Sequence, residues 1–416
     1  MKNTQFMQYK GFHMLLKKIF YFFYNHKLYN KSVDSLSKEY WDDALKISNI
    51  LLERNYNTSL VLNNLIIIYY DGFNDLDSLL IRVEELFLNE DYDYFVLLLR
   101  KGHILYLQNK YDEALNCFNE VLDNDSCDLW AYFFKCCTLH KLNELKDSEL
   151  FNRINPKNCN DDYLLFYIAR YFYDIGMYDK SFYYLNQSLK LKPKSPNKLM
   201  FKGEVFKSLE KYDEALDACN EALKYNPKSP PLWNLKGIIY NKLKDYNNAI
   251  KCFDKTLEIN NKYYFALANK SNALSRLGDY KSALKLNEKA LDLTQDYPEL
   301  WYNYGSSLFR NERFEEALKA YDKSLKLSPN NITTLSAKCE TLVKLKNFEE
   351  VLSCTEEILK IDNENSYAID SKLTALENLN RYDEMLSTYD DAFKIYPDDE
   401  YLIKDKKERL SRINKT

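Results

Sequence analysis

Four histidines (His13, His26, His103 and His140) and nine cysteines are the side chains of this 416-residue sequence best suited to nucleophilic or metal chemistry. A soft-metal or thiol-redox centre needs such groups at convergent spacing. Cys136 and Cys137, with Cys127, Cys159, His103 and His140 nearby in sequence, are the one cluster, and it contains no C-x-x-C or H-E-x-x-H pattern. Cys117, Cys136, Cys219, Cys252, Cys339 and Cys354 instead stand where other segments carry small or apolar residues, which predicts buried structural thiols and no metal site. No serine sits in a G-x-S-x-G elbow. Phosphate-cradling loops need neighbouring glycines, and no two glycines here lie nearer than Gly176 and Gly203 or Gly278 and Gly305. The expectation is a chain without catalytic residue, cofactor or metal, and not an enzyme.

The elements that could position any site must be helical. The chain has 8 Gly and 9 Pro, where average usage gives about 29 and 21. Its 46% apolar residues, with 36 Tyr and 23 Phe, supply a large core. The net charge of -4 argues against nucleic acid as a partner. The odd cysteine count and the lack of a secretory leader point to reduced thiols and a cytoplasmic place. No uncharged apolar run is long enough to span a membrane.

Self-similarity is strong. Tyr178, Tyr212, Tyr246, Tyr280, Phe314, Phe348 and Tyr382 recur with a step of 34 residues, and Ser181, Ala215, Ala249, Ala283, Ala317, Val351 and Met385 follow them three residues on. Pro193, Pro227, Pro329 and Pro397 keep the same beat. Within 298–331, Trp301, Tyr304, Gly305 and Leu308 mark the face of one helix, and Phe314, Ala317, Leu318, Tyr321 and Leu325 that of a second. Small residues in the first helix (Gly102, Ala169, Gly203, Gly237, Ser271, Gly305) face the small residue of the second, so each unit reads as a tightly packed helical hairpin.

Trp233, Gly237, Tyr240, Ala249 and Phe253 in one unit, and Trp301, Tyr304, Gly305, Leu308, Ala317, Tyr321 and Pro329 in another, follow W-x2-L-G-x2-Y, A-x3-F and P. The sequence thus resembles the tetratricopeptide repeat family. The resemblance implies an all-α, right-handed superhelical α-solenoid of stacked helix-turn-helix hairpins. The frame gives eleven units across 25–399, starting near 25, 59, 95, 129, 162, 196, 230, 264, 298, 332 and 366. A basic amphipathic segment, 1–24, precedes them and a solvating helix, 400–416, follows. The unit 129–161 should have a shortened second helix, because Pro156 arrives early.

In this family the first helix of each hairpin lines a concave groove. In units two to five the implied lining is apolar and aromatic: Leu60, Ile67, Val96, Leu99, His103, Trp130, Phe133, Cys137, Tyr163, Phe166 and Tyr173, with Arg170 among them. From residue 230 onward it turns polar: Asn234, Asn241, Asn269, Asn272, Arg276, Tyr302, Asn303 and Arg310. Trp130, Phe133, Tyr163 and Phe166 are expected to anchor a peptide, beside Leu99 and His103, with Arg170 fixing register. Asn269 and Asn303 resemble two rungs of the asparagine ladder of glycosyltransferase-linked repeats. The carboxylate clamp of chaperone-binding repeats is rejected: Asn64 and Arg100 fit it, but Tyr29, Val33 and Val96 do not.

The first 33 residues carry Lys2, Lys10, Lys17, Lys18, Lys27 and Lys31 without an acid. Phe12, Leu15, Leu16, Ile19, Phe20 and Phe23 form one stripe, which reads first as a capping helix, with contact to an anionic membrane surface through Lys10, Lys17 and Lys18 as the alternative. The expected function is a non-catalytic scaffold binding a peptide or helix of a protein partner in its groove. The rival readings are a substrate-recruiting subunit for an enzyme acting in trans and a peripheral membrane scaffold. The sequence does not fix partner identity or oligomeric state.

Overall fold

The computed structural model describes residues 41–54, 56–146 and 151–413, the side chains of Asp71 and Ile413 excepted. Among the described residues there are twenty-one α-helices and no strand. The segment 1–24 with Lys10, Lys17 and Lys18, and the first part of the unit 25–58, lie outside them.

The chain divides into two compact units, residues 1–191 and 192–416. In the first, Trp41–Glu53, Thr58–Ile67 and Leu76–Leu86 precede the hairpin Tyr94–Leu107/Tyr111–Asn124, the helix Leu129–Lys141 and the hairpin Asp162–Asp174/Tyr178–Leu191. A π-helical turn, Ile68–Gly72, extends the second helix and absorbs extra length there. In the second unit six hairpins stack: Pro196–Ser208/Tyr212–Tyr225, Pro230–Lys242/Tyr246–Ile259, Tyr264–Arg276/Tyr280–Leu293, Pro298–Arg310/Phe314–Leu327, Ile332–Lys344/Phe348–Ile361 and Ser366–Asn378/Tyr382–Ile395. The helix Glu400–Ile413 follows. The architecture is an all-α helical repeat solenoid.

Local chemistry explains the boundaries. Pro196, Pro230 and Pro298 open helices at the position where a missing N–H costs nothing. Asp93, Asp128, Asp161, Asn331 and Asn365 instead cap with a side-chain oxygen that accepts from the first turn. Between the helices of a pair the chain reverses through one left-handed residue: Asn109, Gly176, Glu210, Lys244, Gly278, Glu312, Lys346 or Asn380, each at φ of 57° to 87°. The next residue closes the turn with a long backbone bond, as Lys211 N–H to Phe206 C=O (2.9 Å) and Arg313 N–H to Leu308 C=O (3.0 Å). Glycine occupies two of these eight positions, so the hydrogen bonds hold the others against the left-handed strain.

In three hairpins a glycine of the first helix makes room for a ring of the second. A Cβ on Gly102 would stand 2.5 Å from the Phe118 ring, and one on Gly305 would stand 2.6 Å from Tyr321; Gly237 faces Phe253 in the same way. Phe118, Phe253 and Tyr321 are fully buried as a result. Between successive elements of the second unit three lysines each reach an acid sixteen residues earlier: Lys270 to Asp254 (2.6 Å), Lys338 to Asp322 (2.7 Å) and, from the terminal helix, Lys406 to Asp390 (3.2 Å). At the end of that unit Arg409, 6% exposed, binds Asp370, Glu377 and Asp405 at 3.0, 2.7 and 2.9 Å, fastening Glu400–Ile413 to the last hairpin.

The unit expected at 129–161 departs from its neighbours. Residues 151–161 form turns and irregular chain, not a shortened second helix. Phe151, left-handed at φ 59° and 1% exposed, inserts its ring where a second helix would otherwise pack.

Candidate functional site

That insertion changes the aromatic trough of the first unit. Phe151 stacks on Phe133 at 5.2 Å and 25°, and Tyr171 meets the same ring edge-on at 6.4 Å. Phe133 is therefore 4% exposed and belongs to the core, not to an open groove. Leu99 at 7% and His103 at 9% are buried with it, His103 lying against Phe134 at 4.3 Å. Trp130 is half-buried and donates its indole N–H to Asp161 at 2.8 Å. At the surface of this unit stand Tyr163, 53% exposed, Phe166, half-buried, and Arg170, exposed.

Burial also decides the chemistry of the soft ligands. Desolvation raises the thiols of Cys117, Cys136, Cys137 and Cys159 above the ordinary cysteine range, and so favours the neutral form over the thiolate that a metal or a nucleophile needs. Burial, with help from the Arg100 charge, lowers the His103 imidazole to about 3. His140 Nδ1 instead pairs with the Tyr171 hydroxyl at 2.9 Å. No group of three metal-holding side chains converges among the described residues.

The second unit holds a cleft, at a hairpin that differs from its two neighbours. Where other second helices place Phe253 or Tyr321 against a glycine, the hairpin Tyr264–Arg276/Tyr280–Leu293 places Asn287 against Ser271. Asn287, 1% exposed, donates to Ser307 Oγ at 2.8 Å and to the Asn303 carbonyl at 3.0 Å, while its own Oδ1 has no partner. Beside Asn287 lies a cavity of about 360 Å³ lined also by Ser275, Arg276, Tyr302, Asn303, Ser306 and Arg310, among others. No carboxylate lines it. Asn303, Asn272, Arg276, Tyr302 and Arg310 thus share one cleft, as their spacing on first helices suggested. Asn269 does not join it; its amide donates to Asn234 Oδ1 at 3.1 Å. Asn287, Ser306 and Ser307 were not singled out from the sequence, although a polar residue at the aromatic position of a repeat marks such a cavity.

Family models for the tetratricopeptide repeat match residues 96–126, 230–296 and 269–332, the stretches that carry these hairpins. These stretches are tetratricopeptide repeats. A model described as anaphase-promoting complex, cyclosome, subunit 3 matches residues 174–256. No curated protein matches this repeat chain. Among solved structures, yeast Tom70 is 18% identical over 94% of this chain and 96% of its own, with a TM-score of 0.43. Cut9 with Hcn1, the APC/C hetero-tetramer, gives 17%, 83%, 69% and 0.49. YrrB, a repeat protein with an unusual peptide-binding site, gives 21%, 46%, 99% and 0.40. Likeness of that degree carries neither shape nor function across. What family membership gives is the general role of a protein-interaction scaffold, in a family whose members are generally not catalysts and bind protein or peptide partners. No helix among the described residues of this repeat protein is long and apolar enough to cross a membrane.

Proposed function

We propose that this repeat protein is a non-catalytic scaffold that binds an extended peptide of a partner protein in the polar cleft of its second unit. The observation that carries the reading is the cavity at Asn287, whose lining of amides, hydroxyls and guanidinium groups matches the donors and acceptors of a peptide main chain. Asn303 is part of that lining, while Asn269, on the same helix as Asn272 and Arg276, bonds away from it to Asn234 of the preceding hairpin. Tyr163, with Phe166 and Arg170 on the same helix, offers a smaller aromatic contact surface in the first unit, beside Trp130. Phe133, buried, meets Trp130 edge-on at 6.1 Å. Eight buried thiols among nine free cysteines agree with a cytoplasmic place. Neither an enzyme partner in trans nor a membrane surface gains a supporting observation among the described residues.

The test is selection from a random peptide display library on the full chain, repeated with Asn272→Ala/Tyr302→Ala/Asn303→Ala. The wild type should enrich a shared motif that the triple variant, still helical by circular dichroism, does not retain. Enrichment of the same motif by both proteins, or of none by either, defeats the reading.

A further inference from the structure

The cleft contains two positive charges and nothing to answer them. Arg276 and Arg310 are the last residues of the first helices in consecutive hairpins, and both are exposed while lining the same cavity. Among the described residues neither guanidinium has a hydrogen bond or an ion pair. Many other cations of this unit are answered: Arg313 by Glu316 (2.6 Å), Arg381 by Glu384 (2.6 Å), Lys270 by Asp254 (2.6 Å) and Lys338 by Asp322 (2.7 Å). A cation at a helix C-terminus interacts well with the helix dipole. That accounts for one arginine per helix, but not for two sharing a cavity without a carboxylate.

The remaining groups fit an oxyanion on a peptide. Ser275, Ser306 and Tyr302 bring hydroxyl donors to the cavity, and Asn272 and Asn303 bring amide donors. The unpartnered Oδ1 of Asn287 is an acceptor, buried and on the cavity wall, which calls for an N–H and so for a peptide more than for a free anion. Two guanidinium groups are matched by a dianion, whereas a single carboxylate leaves one unneutralised.

We infer that the cavity between Arg276 and Arg310 takes the phosphoryl group of a phosphoserine or phosphothreonine in the bound peptide. The inference rests on the peptide reading above and adds to it a switch: the partner is held once it is phosphorylated. Recognition is non-covalent, with charge-assisted hydrogen bonds from both arginines to the phosphoryl oxygens, so it weakens with salt.

The experiment uses the full chain and three degenerate peptide pools, identical except for a fixed central phosphoserine, serine or glutamate, read by fluorescence anisotropy. The phosphoserine pool should bind at least about tenfold more tightly than either other pool, as expected for new charge-assisted bonds. Arg276→Gln/Arg310→Gln should erase that advantage, bringing the phosphoserine pool down to the affinity the same variant shows for the serine pool. Ser271→Gly/Asn287→Phe, which restores the glycine–ring pair of neighbouring hairpins and fills the cavity, should abolish binding while circular dichroism reports an intact fold. Equal binding of all pools, glutamate matching phosphoserine, or an advantage that survives the arginine changes overturns the phosphoryl assignment. When the pools bind equally but Ser271→Gly/Asn287→Phe loses them, the assignment alone fails; when no pool binds, the peptide reading fails with it.

Discussion

Each unit buries an arginine, and the two are treated in opposite ways. Arg409 in the second unit meets three carboxylates. Arg100 in the first, 3% exposed, donates to Ser59 Oγ at 2.6 Å, and its Nε and Nη1 have no partner. Burial accordingly lowers Arg100 to about 10, whereas the carboxylates around Arg409 raise it above the ordinary arginine range despite burial. The difference teaches that burial of a charge is not itself a measure of what it contributes. A paired charge holds its partners in place, and an unpaired one is a standing cost that the surrounding aromatic core must offset.

The sharpest way to break the comparison is to remove each arginine. Arg409→Ala leaves Asp370 and Asp405 without their cation and Glu377 with Arg412 alone, and should cost the second unit about 3–5 kcal/mol in urea unfolding, with Glu400–Ile413 the first segment to lose hydrogen-exchange protection. Acid should single out the first unit next. His103 is lowered to about 3 in the fold, while its unfolded value is about 6.5. Protons therefore bind the unfolded chain first, and stability is full above about pH 6.5 and falls as pH drops toward about 3. Between pH 7 and pH 5 the loss is about 2 kcal/mol, and His103→Gln should remove that slope. The packing rule, by contrast, is common to both units. Gly102→Ala and Gly305→Ala each press a methyl into a buried ring and should each cost about 1–3 kcal/mol; unequal losses would locate slack in one unit.

Two smaller effects refine the contrast. Arg100→Met removes an unanswered charge and keeps the stem, so the first unit should be unchanged or gain about 1 kcal/mol, the opposite sign to Arg409→Ala. Lys346→Gly releases left-handed strain at a turn and should add about 0.5–1 kcal/mol to the second unit by thermal unfolding.

The fold was legible because its signals are local and repeated. The aromatic series at Tyr178 to Tyr382 marks the first residue of each second helix, and Pro196, Pro230 and Pro298 mark first helices. Of the polar residues read as groove lining, Asn272, Arg276, Tyr302, Asn303 and Arg310 line one cavity, because they share a face of successive first helices. Phe133 reads as lining because a repeat frame assumes every unit has two helices. The left-handed turn at Phe151 replaces one of them, and a periodic pattern carries no information about where a non-periodic residue will insert. Asn287 was hidden for the opposite reason: its meaning lies in departing from Phe253 and Tyr321, so it is seen by comparing units rather than by reading one. The Lys-to-acid ties sixteen residues apart likewise follow a 34-residue series, Lys270, Lys338, Lys372 and Lys406, that is broken at Tyr304.

The glycine–ring pairs at Gly102–Phe118, Gly237–Phe253 and Gly305–Tyr321, and the smaller pair Gly203–Cys219, keep a bulk and its vacancy within one hairpin. A whole hairpin can then be exchanged, duplicated or deleted without leaving a lone ring or a lone void behind, whereas a crossover between its two helices would join mismatched halves. Recombination in such a gene is tolerated at the seams between hairpins. Chimeras cut there should fold, and chimeras cut inside the turn at Glu312 should not.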